Sequence, residues 1–136
     1  MPQFEKESEL SLAAVTQVDG VLSEVKEGQI GEIVEKGDGI VTAMDLRIES
    51  AITDLLKDSK YPIVAEESFQ QVHHGKLPPP PFWCVDPLDG TANYVNGIPL
   101  YAISVGFVGD GFATGAVYLP AQEEIFFCHR DQSFLN

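Results

Sequence analysis

Apolar side chains recur at Leu12, Val15, Val18, Leu22 and Val25, in alternating steps of three and four. That spacing describes one face of a helix and predicts one from about Phe4 to Lys26, weakened in its middle by Gly20. A second stripe, Ile48, Ala51, Ile52, Leu55 and Leu56, predicts a helix that starts at a capping-box-like Thr42 with Asp45 and stops near Asp58-Ser59. Between the two, residues 28–39 read as a glycine-punctuated loop or short hairpin around Ile30 to Val34. After residue 60 the period changes. Tyr61 to Ala65 and Phe82 to Val85 are short apolar runs that predict strands with acidic residues at their C-terminal ends, so side-by-side pairing would make Glu66 and Asp86 neighbours. Tyr101 to Val108 alternates as a strand, Gly109-Asp110-Gly111 turns it, Phe112 to Leu119 returns antiparallel, and Glu123 to Cys128 adds a third strand. Ser68 to Pro81, polar and closed by four prolines, reads as an exposed polyproline-like loop. Helices followed by a meander predict an α+β fold, with layered helices packed on a mainly antiparallel sheet.

A chain of 136 residues is long enough for one domain with a real core. With 44% hydrophobic residues and a mean hydropathy of +0.00, neither a disordered tail nor a membrane-spanning protein is expected. The formal net charge of −13 argues against a nucleic-acid or anionic-membrane surface, so attraction of an anionic substrate must depend on cations and local dipoles. Cys84 and Cys128 are too few for a disulfide scaffold, and no charged start with an apolar segment marks a signal peptide, so a cytoplasmic setting is expected.

The segment Asp86-Pro87-Leu88-Asp89-Gly90-Thr91 carries the chemistry. Asp followed by Pro predicts a type I β-turn whose ends lie within roughly 7 Å at Cα, so Asp86 and Asp89 should face a common space. Two carboxylates about 6 Å apart repel by roughly 3 kcal/mol at an effective dielectric near 20, a cost that a bound cation removes. Carboxylates and backbone carbonyls are hard donors, suited to Mg²⁺, with Mn²⁺ or Ca²⁺ as substitutes. An EF-hand is excluded, because Thr91 and Gly97 stand where that loop needs Gly and Glu. Gly90 supplies backbone freedom, and Thr91 reads as the N-cap of a helical turn through Ala92-Asn93-Tyr94 that would aim amides at an anion. A divalent cation beside an anion hole suggests phosphate.

These residues resemble the inositol monophosphatase family of Mg²⁺-dependent, lithium-sensitive phosphatases, whose first motif reads D-P-[IL]-D-G-T followed by N-[FY]; here Asn93-Tyr94 follow Thr91. Ala65-Glu66-Glu67-Ser68 is similar to the family's G/A-E-E-S, Val41 to Asp45 to its V-T-x-x-D, and Ile98 to Gly106 to its P-x-x-A-V-S-I-G. The resemblance implies the N-terminal part of an αβαβα sandwich, with residues 1–60 as helices and connection and 61–136 as strands with the metal-binding turn. It implies two or three Mg²⁺ sites in the complete fold and a homodimer. Glu66, Asp86, the Leu88 carbonyl and Asp89 would hold metal; Asp89, Gly90 and Thr91 would bind phosphate. Glu66, Thr91 and Asp45 would act in catalysis, through metal-assisted hydrolysis in which Thr91, backed by Asp45, helps deprotonate a water. The family's W-D motif and C-terminal half have no counterpart here, so the second cation lacks a ligand, and weak binding of one Mg²⁺ with poor turnover is expected of this chain alone.

Plainer readings stand beside these. Asp45 and Thr91 also read as simple caps, and Glu67 as structural, since adjacent strand residues point to opposite faces. Lys36 is an exposed lysine that only the resemblance makes a candidate, Asp38 sits one position from the family's acidic residue, and His73-His74 read as surface. Within the family, Thr91-Ala92-Asn93-Tyr94 is more similar to the inositol phosphate branch than to the nucleotide branch, which implies inositol 1-phosphate as substrate. Fructose bisphosphate, histidinol phosphate, NADP or a non-catalytic metal-binding module are the alternatives.

Overall fold

The computed structural model describes residues 5–23, 33–36, 39–129 and 132–136, with the backbone alone for residues 23, 33–36, 39–42 and 129. Five helices and eight strands are described: α1 Glu5–Thr16, α2 Val18–Ser23, β1 Ile33–Lys36, β2 Gly39–Thr42, α3 Ala43–Leu56, β3 Ile63–Ala65, α4 Phe69–His73, β4 Phe82–Asp89, α5 Thr91–Val95, β5 Ala102–Val108, β6 Ala113–Leu119, β7 Glu124–His129 and β8 Gln132–Leu135. The expected hairpin is β1 paired antiparallel with β2. Lys36 closes β1 with its side chain outside the described residues, as is Asp38, and the Thr42 side chain is likewise not described. The other six strands form one sheet in the order β3-β4-β5-β6-β7-β8, parallel between β3 and β4 and antiparallel elsewhere. This is the expected α+β architecture, with β8 as a strand that the alternation did not predict.

α1 lies over β5 and β6, and α3 over β4. The predicted stripe of α3 is its core face: Ile48, Ile52 and Leu56 are fully buried, each worth roughly 1.5–3 kcal/mol of transfer free energy. They meet Trp83, Val85, Ile103, Val105 and Phe107 from one face of the sheet, where the Trp83 and Phe107 rings sit 4.8 Å apart. The indole N–H of Trp83 donates to Ser59 Oγ at 2.8 Å, so the buried ring leaves no polar atom unpaired.

The first helix departs from expectation in two ways. It breaks at Gln17, not Gly20, just after Thr16, whose hydroxyl lies 3.1 and 3.2 Å from the Leu12 and Ala13 carbonyls; such back-bonding bends helices. Its buried face is also rotated. Ser8, Ser11, Ala14 and Val15 are buried whereas Leu12 is only half-buried, because Ser8 Oγ meets Thr114 Oγ1 at 2.9 Å and Thr114 in turn donates to the Cys128 carbonyl. A hydroxyl that is paired in this way can occupy a core position that a hydropathy pattern assigns to solvent. The Ser68–Pro81 stretch is also not all loop: residues 66–68 form a 3₁₀ turn and α4 follows. His73, at the end of α4, is half-buried with Nε2 2.7 Å from the carbonyl of Ile63 in edge strand β3, while His74 is exposed.

Candidate functional site

Strand register builds the site. The parallel ladder pairs Ile63 with Trp83, Val64 with Cys84 and Ala65 with Val85, so one further step sets Glu66 beside Asp86. Asp86 and Asp89 are not the ends of a free turn, which corrects the expectation: both lie within β4, Asp86 opposite Ser104 and Asp89 opposite Ala102. Three residues on β4 therefore span two on β5, a bulge with one extra residue. In a regular strand, residues three apart point to opposite faces; the extra residue restores Asp86 and Asp89 to the same face as Ser104 and Ala102. The common space is real, but it is made by a bulge held against β5.

The Asp86 carboxyl is pushed up to about 7, mainly by burial, then by its hydrogen-bond contact with Glu66 and by the charges of Glu66 and Asp89, against a lowering bond from the Leu88 backbone. Its Oδ1 is buried with no hydrogen-bond partner. An acceptor without a donor, next to a second carboxylate with a third at Coulombic range, fits a hard cation. Glu66 and Asp89 are exposed at the rim. Among the described residues no group of three His, Cys, Asp or Glu side chains is placed to hold a metal ion.

Thr91 is the first residue of α5, not its N-cap; that position belongs to Gly90, at φ 91°. Freed from capping, the Thr91 hydroxyl lies 2.8 Å from Oδ1 of Asp45 and 3.0 Å from the Leu88 carbonyl. It has a single proton and donates to one of them at a time. Asp45 is completely buried near the start of α3, so α3 fixes the pair from behind. Gly90 is required twice, since its φ is left-handed and a Cβ would stand 2.8 Å from the Leu100 carbonyl. Gly90→Ala is expected to lower stability by about 2–3 kcal/mol in a urea titration, combining backbone strain with a clash against main chain.

Three contacts escaped the sequence reading. Asn93 Nδ2 donates to the same Leu100 carbonyl at 2.8 Å, pinning the return from α5 to β5 against Gly90. Tyr94 and Tyr101 meet edge-on with centroids 5.3 Å apart. Glu49 Oε1 accepts the Glu67 N–H at 3.0 Å; Glu66 and Glu67 stand in the 3₁₀ turn, so strand alternation does not separate them as expected. The four-residue spacing of Asp45 and Glu49 along a helix was the available signal for the last contact.

The fold and site define a class: an α+β protein in which a carboxylate just after β3, Glu66, meets one within the paired strand β4, Asp86. The sequence model of the inositol monophosphatase family matches residues 4–136, and the chain belongs to that family. An inositol-1-monophosphatase of Synechocystis sp. is 36% identical over 104 residues, 73% of this chain and 35% of that protein. A fructose-1,6-bisphosphatase/inositol-1-monophosphatase of Aquifex aeolicus is 53% identical over 45 residues, 32% of this chain and 17% of that protein. The solved structure of an IMPase of Thermotoga maritima superposes with a TM-score of 0.78 at 26% identity, covering all of this chain and 52% of that one. The chain thus spans about half of the solved relative, and its matched part about a third of the Synechocystis protein. No described helix is long and apolar enough to cross a membrane.

Proposed function

We propose that the protein is a divalent-cation-dependent phosphate monoester hydrolase acting on a small sugar-like phosphate, inositol 1-phosphate first. The unpartnered, buried Oδ1 of Asp86 beside Glu66 carries this reading. Glu66, Asp86 and the Leu88 carbonyl would hold one cation, and Asp86 with Asp89 a second; Mg²⁺ suits these donors, with Mn²⁺ or Ca²⁺ as substitutes. Bound there, the cation supplies Lewis acidity, acidifying water and neutralising charge on phosphate oxygens. The chain's own groups do the rest. The Thr91 hydroxyl donates to Asp45 Oδ1, which turns a lone pair of Oγ1 outward to accept a hydrogen bond from water; as the water gives its proton to Oγ1, the hydroxyl proton would pass to the Asp45 carboxylate. The Gly90 and Thr91 amides would hold phosphate oxygens. Lys36 and Glu67 stay outside the direct contacts of this scheme. A homodimer belongs to the same reading.

The Aquifex relative carries two activities in its name, so the test must be a panel. Inorganic phosphate released from inositol 1-phosphate, fructose 1,6-bisphosphate, histidinol phosphate and NADP would be measured with Mg²⁺ and with EDTA. Mg²⁺-dependent release, fastest from inositol 1-phosphate, is expected. Equal signals with and without Mg²⁺ on every substrate would instead support a non-catalytic binding module.

A further inference from the structure

Past Ala65 the ladder between β3 and β4 ends, so where Glu66 stands depends on what holds the 66–68 turn. α3 supplies a hold. Asp45 and Glu49 are four residues apart in that helix and therefore share a face. Asp45 accepts from Thr91, just after β4, at 2.8 Å, and Glu49 accepts from the Glu67 N–H, just after β3, at 3.0 Å. One helix face thus grips the chain directly behind each of the two strands that deliver carboxylates. Glu67 N–H lies in the first turn of a short 3₁₀ segment, where amides lack intrahelical acceptors and a carboxylate is the favoured partner.

We propose that Glu49 is a positioning residue for the cation site: by accepting the Glu67 N–H it fixes the 66–68 turn and so keeps the Glu66 carboxylate against Asp86. The inference rests on the reading of Glu66 and Asp86 as cation ligands. Glu49 touches neither cation nor substrate in this scheme; it acts through the backbone of its neighbour's turn. Its carboxylate oxygen matters as an acceptor, so an amide oxygen in the same place should serve.

The test is Mn²⁺ alone, titrated into the metal-free protein and followed by electron paramagnetic resonance, with the Glu67 amide observed by NMR. In Glu49→Ala the Mn²⁺ dissociation constant is expected to rise about 10-fold, as when outer-shell partners of metal ligands are removed. The Glu67 amide should shift and exchange faster with solvent. Glu49→Gln is expected to stay within about 2-fold of wild type and to keep the amide resonance in place. Should Glu49→Ala fail to fold, Glu49→Met retains the packing stem without the acceptor and replaces it. Unchanged Mn²⁺ affinity in the acceptor-less variant, or an equal loss in Glu49→Gln, overturns the proposal. Absence of Mn²⁺ binding by the wild type overturns instead the reading of the site on which it depends.

Discussion

Asp86→Asn is expected to make the metal-free protein more stable at pH 8 while abolishing the further stabilisation that Mg²⁺ gives the wild type. In the fold the Asp86 carboxyl is raised from 3.8 to about 7. Between those values the folded state binds a proton that the unfolded chain has released, so stability falls as pH rises, and above about pH 7 the whole penalty is present. Asp86 is half-exposed, and with solvent screening the penalty is roughly 1–2 kcal/mol. The neutral amide avoids it, and at about 3–6 °C per kcal/mol for a chain of this size the midpoint should rise by several degrees. Below about pH 4 the two proteins should melt together. With Mg²⁺ at 100 times its dissociation constant the wild type gains about 2.7 kcal/mol, and the variant should gain none. Differential scanning calorimetry at pH 4 and 8, with and without Mg²⁺, reads all of this. A Mg²⁺-dependent rise in Asp86→Asn would remove Asp86 from the ligand set.

The second large effect is kinetic. Thr91→Ala should lower the rate of Mg²⁺-dependent phosphate release by about 10²–10⁴-fold, the usual range for loss of a positioned proton acceptor. Thr91→Ser, which keeps the hydroxyl within reach of Asp45, should stay within about 10-fold. The loss should fall on kcat and leave Mg²⁺ affinity near wild type, because the hydroxyl orients a proton and contributes no charge. A Thr91→Ala protein with wild-type kcat would mean that the Thr91–Asp45 bond only ties α5 to α3. That structural role exists in any case, since the bond joins residues 46 apart in the chain.

The helical stripe Ile48, Ile52, Leu56 and the alternation of β5 and β6 were readable because each side chain's face follows from local period alone. α1 was misread for the opposite reason. Ser8 occupies a core position with Thr114, more than a hundred residues away, as its partner, and Ser11 with the Ser8 carbonyl one turn back. The sequence predicts one helix weakened at Gly20, whereas the break falls at Gln17, just after the Thr16 hydroxyl bonds back to its own helix. Within the site, the motif from Asp86 to Thr91 announced its oxygen donors, but the turn expected from Asp-Pro gave way to a strand bulge. Pairing with β5 extends the ladder through Asp89 and overrides the local preference.

Residue types and spacings by themselves were enough for the α+β class, which follows from local periodicity, and for the family, which the motifs around Asp45, Glu66 and Asp86 resemble. Tertiary structure alone decided that Asp86 keeps a buried oxygen without a partner and that Glu49 accepts the N–H of Glu67; it also supplied the Thr91–Asp45 bond that the family resemblance had implied. Each of these joins segments far apart in sequence. Burial and hydrogen bonding of that kind are fixed only when β3, β4 and α3 pack together, since no local pattern records which distant acceptor will meet a given donor.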